Sequence, residues 1–388
     1  MSRTVVVLGA GVGGLTTAQH LRRLLPADDR VVVVDRSLDT SLGLSVLWVL
    51  RGWREPADVT VRIDPGALPG VELLEDEILG IDPDRRTVHT AGATLRHDAL
   101  VIALGSDLDV AATPGLDHAI DAGLAHECFT LAGAAALRRR LESTDRGRVV
   151  VAVAGTPFKC PAAPFEAALL AADLVRSTGP RKTFQVDAYT PDPLPMPVAG
   201  PVVGEALVGL LKQHEIGFYG NHALAAVDGE PAELHFGDGQ RTGYDVLAVV
   251  PRHRPPRVVG ELGLSPQGWI PVDARTLTTP LDGVWALGDV TTLVLPNGKP
   301  LPKAAVFAEG EAAVVANGVA RALGVPAPEP WFDGFGSCYI ELGGHVAAKG
   351  EGRFLADGGP VVTLHEPAAA YHDEKRAQET DWLRRWSA

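Results

Sequence analysis

Cysteines are the residues best suited to chemistry in this chain of 388, which has three of them. Cys160 stands in the turn of a strand-turn-helix, GRVVVAVAGTPFKCPAAPFEAALLAADLVR, where an enzyme holding two nucleotides carries its second glycine loop. Here Lys159, Cys160 and prolines take that place. A thiol beside a lysine and a helix N-terminus ionises more easily, so Cys160 is expected to have a lowered pKa. Cys338 lies much later, in FDGFGSCYIELGG. Two such thiols suit a redox pair, and buried packing cysteines are the bland alternative.

Other candidates surround them. Glu166 falls early on the helix after Cys160, where a carboxylate suits proton shuttling, unless it is simply solvated. Lys303, in LPKAAVFAEG, precedes another helix start and suits the stabilisation of developing negative charge; a surface lysine is the competing reading. Cys128 follows His126 ahead of the helix LAGAAALRRRL. It reads first as a packing thiol and second as a cofactor tether or sulfur relay. His253, in VPRHRPP, reads as a loop brace. No spacing suits a metal.

A dinucleotide site is the clearest motif. VVVLGAGVGGLTTAQHL places Gly9, Gly11 and Gly14 directly after a strand and at a helix start, with Gly13 in the same turn. Glycines there allow a sharp turn and close approach of backbone N–H groups to a pyrophosphate. Asp35, with Arg36 beside it, follows about 20 residues later, where a carboxylate meets a ribose hydroxyl. LVIALG, ending at Gly105, and GVWALGDV, ending on Gly288 and Asp289, turn the reading from NAD toward FAD, since an aspartate after a buried strand suits the ribityl chain. A helix cap is the alternative for Asp289.

These motifs need an α/β scaffold. Apolar strands are expected at 4–8, 30–34, 149–154, 184–189 and 245–250, with helices after Gly14 and over 164–176. The pattern implies two Rossmann-like domains with a C-terminal strand-rich interface segment. The first is discontinuous, 1–112 with 266–329. The second, 113–265, lacks an intact NADH loop. Residues 330–388 carry Cys338, a hairpin sheet and a charged terminal helix. Composition agrees, with 46% hydrophobic residues, 43 glycines and 30 prolines marking many tight turns. A net charge of −13 without basic runs argues against nucleic acid. No apolar run approaches the roughly 18 residues of a membrane span, and no leader is recognisable, so the expected address is the cytoplasm. Few cysteines in such a compartment point to redox use rather than structural disulfides.

The segments GAGVGGL, HDALVIALGS, KCPAAPFEAALL, VVPRHRPP, ALGDV, LPKAAVFAEGEAA and DGFGSCYIE resemble the sulfide:quinone oxidoreductase and flavocytochrome c sulfide dehydrogenase group of disulfide-reductase-like flavoproteins. The likeness runs nearly the whole length. It implies FAD, a Cys160–Cys338 redox disulfide beside its ring, sulfide or polysulfide as donor, and a quinone or other small acceptor. It places Cys128 near a third cysteine that tethers flavin in some members. Quinone-linked members usually end in apolar helices that dip into a membrane, whereas this tail is charged, so contact is expected to be peripheral at most. A homo-oligomer through the last segment fits the group. Two other readings stand beside it: a type II NADH dehydrogenase-like enzyme, and a non-enzymatic flavin–disulfide redox sensor.

Overall fold

The computed structural model describes residues 2–177 and 183–387. Strand β1 (Thr4–Leu8) feeds helix α1 (Val12–Leu24), followed by β2 (Arg30–Asp35), the short helix α2 (Val46–Arg51), β3 (Glu72–Glu75) and β4 (Ala99–Ile102). The middle of the chain supplies β5 (Ala125–Glu127), β6 (Arg146–Val153), α3 (Ala163–Ser177), β7 (Thr183–Tyr189), β8 (Ile216–Tyr219) and β9 (Val246–Val250). Then come β10 (Val284–Ala286) and α4 (Ala305–Ala322). Strands β11 (Phe335–Gly343), β12 (Val346–Arg353) and β13 (Val361–Ala368) and the terminal helix α5 (Ala369–Trp386) finish the chain.

Two five-stranded parallel sheets result. The first runs β10-β4-β1-β2-β3, and the second β5-β9-β6-β7-β8. Their central strands, VVVL in β1, VVVV in β2 and VVVAV in β6, are unbroken apolar runs because helices or loops cover both faces. Ligands of such sheets gather beyond the carboxyl ends of the strands, where β1 turns at Gly9 and β6 runs out towards Cys160.

The third sheet is antiparallel, β11-β12-β13, and α5 packs on it. Although α5 is rich in charge, it is no solvated appendage. His372, Lys375, Glu379, Trp382 and Trp386 are buried along one stripe. Their spacing of three and four residues keeps them on one face. The helix also reaches the first sheet's surroundings, where the Trp386 carbonyl accepts from Asp64 N–H at 3.0 Å.

Candidate active site

The glycine turn after β1 is built for close approach. Gly9 has φ of +107°, and a Cβ there would lie 2.3 Å from the Ala103 carbonyl oxygen. At Gly14 a Cβ would lie 1.9 Å from the Gly9 oxygen, so strand and helix can meet only without side chains. Gly11 is exposed, with nothing within 4 Å of where a Cβ would be. It is the N-cap of α1 and has no capping side chain, which leaves the first N–H groups of that helix free for an anion. Helix α1 thus begins at Val12, placing Gly13 and Gly14 inside its first turn rather than before it. Asp35, at the end of β2, accepts from Ala10 N–H at 2.7 Å and so stands at the turn. Arg36, next to it, is exposed.

Further round the first sheet, Gly105 lies past β4 with open space at its α-carbon, and Gly288 and Asp289 form a short turn after β10. Glu311 of α4, which sequence reasoning missed, accepts from Gly288 N–H at 2.7 Å. Burial pushes its carboxyl up to about 7, and the neighbouring Asp289 adds to the shift. Burial also raises Asp289, against the pull of Lys159 and Lys303. Lys303 is not a free surface lysine. Its ammonium donates to the carbonyls of Asp289 (2.6 Å) and Thr291 (2.8 Å) and lies 3.7 Å from the centre of the Trp269 ring. Desolvation brings it down to about 8.

The two cysteines meet. Cys160 and Cys338 both line an apolar cavity of about 610 Å³, together with Phe158, Met196, Trp269 and Lys303. Both are free thiols, within hydrogen-bonding reach of each other. The Cys160 N–H donates to the Lys303 carbonyl at 2.6 Å, tying the cysteine turn to the segment that leads into α4. The expected order of acidity is reversed. The neighbouring Cys338 and burial hold the Cys160 thiol well above an ordinary thiol, while the neighbouring Cys160 lowers Cys338. The local argument from Lys159 and the helix end left out the partner sulfur and the dry surroundings. Lys159 itself points over the Phe129 ring at 6.0 Å.

Glu166 is buried, so the solvated alternative falls. It receives Lys375 Nζ at 2.5 Å and the backbone N–H of Glu341. Burial raises its carboxyl more than Lys375 lowers it. Cys128 is packed in the core below α3, outside the cavity lining, and burial drives its thiol far up. The His126 ring nitrogen Nε2 has no partner. His253 braces its loop as expected, its Nδ1 3.0 Å from the Pro251 carbonyl and its backbone N–H donating to Pro157. Burial takes it down to about 4.

The corresponding turn of the second sheet has prolines where a pyrophosphate loop has glycines. Pro161 and Pro164 have no N–H, and that of Ala163 is spent on the Cys160 carbonyl at 2.8 Å. Strand β7 ends at Tyr189, stacked 4.4 Å from Tyr219, where an NADH site would offer a ribose-binding acid.

Comparisons with known proteins agree with this layout. The chain is 24% identical over 355 residues to the mitochondrial sulfide:quinone oxidoreductase of Mus musculus, covering 87% of this chain and 75% of that protein. It is 27% identical over 344 residues to the sulfide-quinone reductase of Aquifex aeolicus, covering 82% and 76%. The X-ray structure of the sulfide:quinone oxidoreductase from Aquifex aeolicus superposes with a TM-score of 0.84 at 22% identity, covering 99% of this chain and 91% of that one, and so shares the fold. A family profile described as pyridine nucleotide-disulphide oxidoreductase matches residues 3–312, most of the chain, and the protein belongs to that family.

Proposed function

We propose that this protein is an FAD-dependent oxidoreductase that takes electrons from sulfide, or a related small sulfur species, through a Cys160–Cys338 redox disulfide and delivers them to a quinone or another small acceptor. The observation that carries this is the meeting of Cys160 and Cys338 in one apolar cavity beside Lys303. The names of the curated relatives support the choice of donor and acceptor.

The residues fit FAD. The open turn at Gly11 with Gly9, Gly13 and Gly14 would receive the pyrophosphate, Asp35 the ribose, and Gly105, Gly288 and Asp289 the rest of the cofactor towards the cavity. Bound there, FAD supplies a two-electron sink that a quinone can drain. The protein does the sulfur chemistry. Hydrosulfide bonds to one sulfur of the oxidised pair, the Cys–Cys bond breaks, and a persulfide and a thiolate remain. Lys303 and the first N–H groups of α4 border the cavity and would stabilise negative charge on a reduced cofactor held there. Phe158, Met196 and Trp269 keep bulk water from the sulfur.

Among the described residues no helix is long and apolar enough to cross a membrane. A cytoplasmic enzyme that touches the inner membrane face peripherally is the reading we favour. Val202 and Val361 support it, both strongly exposed and each next in sequence to a cavity-lining valine, Val203 and Val362.

Anaerobic titration of the purified holoprotein with sulfide tests the proposal. Sulfide is expected to bleach the flavin, after a long-wavelength charge-transfer band from a thiolate against the ring. Cys160→Ser and Cys338→Ser should each slow bleaching by about a thousandfold or more while FAD stays bound. A serine variant bleached at the parent rate sinks the disulfide mechanism. Faster bleaching by NADH than by sulfide returns the NADH dehydrogenase reading, and bleaching without turnover on a soluble quinone returns the sensor reading.

A further inference from the structure

A chain of buried ionisable groups leads from the cysteine pair to the far side of the C-terminal sheet. Strand β11 is an edge strand, paired only with β12, and its other edge lies against α3. Side chains alternate along it. Cys338 and Ile340 line the cavity, whereas Tyr339 and Glu341 turn towards α5. Glu166 sits at the uncovered edge, accepting the Glu341 N–H, and it interacts electrostatically with both cysteines.

From Glu166 the contacts run outward. Lys375 Nζ is 2.5 Å from Glu166 Oε1 and 3.8 Å from Glu341 Oε1. The Glu341 carboxylate lies 3.0 and 3.1 Å from His372 Nδ1. His372 Nε2 is 3.2 Å from His345 Nδ1. His345 is exposed, in the turn after β11, and stacks on Trp53 at 4.5 Å. Glu166, Lys375 and Glu341 are almost wholly buried, at 3%, 2% and 0% exposure. Trp48 holds the middle: its Nε1 donates to Glu341 Oε1 at 3.0 Å and its ring lies 5.1 Å from the Lys375 ammonium.

Burial of two carboxylates and one ammonium is costly, and replacing such a set with apolar residues is often neutral or stabilising. Its retention next to a redox pair therefore calls for a use. The cavity is apolar, so it admits neutral hydrogen sulfide in preference to the hydrosulfide anion. Neutral hydrogen sulfide must then lose a proton in a place with little water.

We infer that Glu166, Lys375, Glu341, His372 and His345 form a proton relay that carries the proton of bound hydrogen sulfide from the cysteine pair to solvent. This rests on the sulfide-oxidising reading above. In the step served, one S–H bond breaks, the sulfur bonds to one cysteine of the disulfide, and the Cys–Cys bond breaks. One cysteine keeps a persulfide that retains the second hydrogen, the other leaves as a thiolate, and one proton is released. Glu166 accepts it. Lys375 passes a proton to Glu341 as it takes one from Glu166, bridging the longer gap by rotation of its flexible stem. Glu341 then protonates His372 at Nδ1, His372 gives up its Nε2 proton to His345, and His345 releases one to water.

The surroundings favour a single mobile proton. Lys375 is held protonated by Glu166 and Glu341, which outweigh burial, while burial raises both carboxyls. His372 is lowered by burial and by Lys375, Arg376 and Arg54, against Asp373, so it stays neutral and able to accept. Arg54 is itself occupied by Glu379 at 2.7 Å.

The test is stopped-flow bleaching of the FAD-loaded protein by sulfide as a function of pH, with Lys375→Met, Glu341→Gln and His345→Ala. Lys375→Met and Glu341→Gln should slow bleaching by about a hundredfold where sulfide is mostly neutral. The deficit should shrink as pH rises and hydrosulfide, already deprotonated, becomes the entering species. His345→Ala, at the exposed end, should lose several-fold, about what one lost transfer partner costs, and regain it with added imidazole. A parent pH profile in Glu341→Gln and His345→Ala overturns the relay, as does a deficit constant with pH and untouched by imidazole, which marks a structural defect. If Lys375→Met fails to bind FAD, the other two variants decide. A parent protein that sulfide does not bleach refutes the underlying function, and the relay with it, whereas a bleached parent with indifferent variants refutes the relay alone.

Discussion

The two parallel sheets each send a central strand into a turn and a helix, yet the turns after β1 and β6 do opposite work. The first is all backbone, with Gly11 open above the uncapped start of α1. The second is all side chain, where prolines remove N–H donors and Cys160 projects into the cavity. One scaffold therefore yields an anion cradle or a thiol mount, depending on whether the turn presents N–H groups or hides them.

The sharpest way to break the comparison is to add one methyl to each turn. Gly14→Ala places a Cβ 1.9 Å from a backbone oxygen, whereas Gly155→Ala meets the Arg252 Cβ at 3.1 Å and needs only a small adjustment. FAD affinity, titrated by quenching of flavin fluorescence, should fall about a hundredfold or more in the first variant and about twofold or less in the second. Equal losses would erase the distinction between the turns.

A second measurement sharpens the thiol side. In the reduced protein Cys338 is lowered by its neighbour Cys160, whereas Cys160 is raised by Cys338 and by burial. As pH rises through the thiol range, brief treatment with iodoacetamide should label Cys338 several-fold faster than Cys160. Mass spectrometry of the peptides reads the ratio. Preferential labelling of Cys160 would restore the simpler argument from its helix end and Lys159.

The smallest effect concerns the turn after β10. Glu311 titrates at about 7 in the folded protein against 4.5 as a free side chain. Between those values the folded chain keeps a proton that the unfolded chain has lost, so stability falls as pH rises through the window and levels off above it. Glu311→Gln removes the slope, since an amide stays neutral while still accepting the Gly288 N–H. Urea melts at about pH 5 and about pH 7.5 should show the variant gaining on the parent by up to about 3 kcal/mol at the higher pH. A slope unchanged by the substitution would assign it elsewhere.

What could be read early and what could not divide along the range of the interactions. The α/β class, the strand at Thr4–Leu8 and the glycine turn were legible because contiguous apolar runs and a local turn carry them. Glu166 was visible as a candidate, but its burial was not, since Lys375 comes from the last helix. The stripe His372, Lys375, Glu379, Trp382, Trp386 offered a signal at helical spacing that charge obscured, because three of its five members are ionisable. Glu341 and Glu311 lay within the quoted segments DGFGSCYIE and LPKAAVFAEGEAA, but nothing local marked either for a role, because their partners come from elsewhere in the chain.

Residue order and local chemistry alone determined the first turn, the parallel strands and the prolines that thin out N–H donors after Cys160, since each depends on neighbours a few positions away. Which thiol is the more acidic, where Cys128 lies, and what surrounds Glu166 were decided only when α3, β11 and α5 packed together. Acidity in a dry interior depends on whichever charges and donors the fold brings within a few ångströms, and those come from distant parts of the chain.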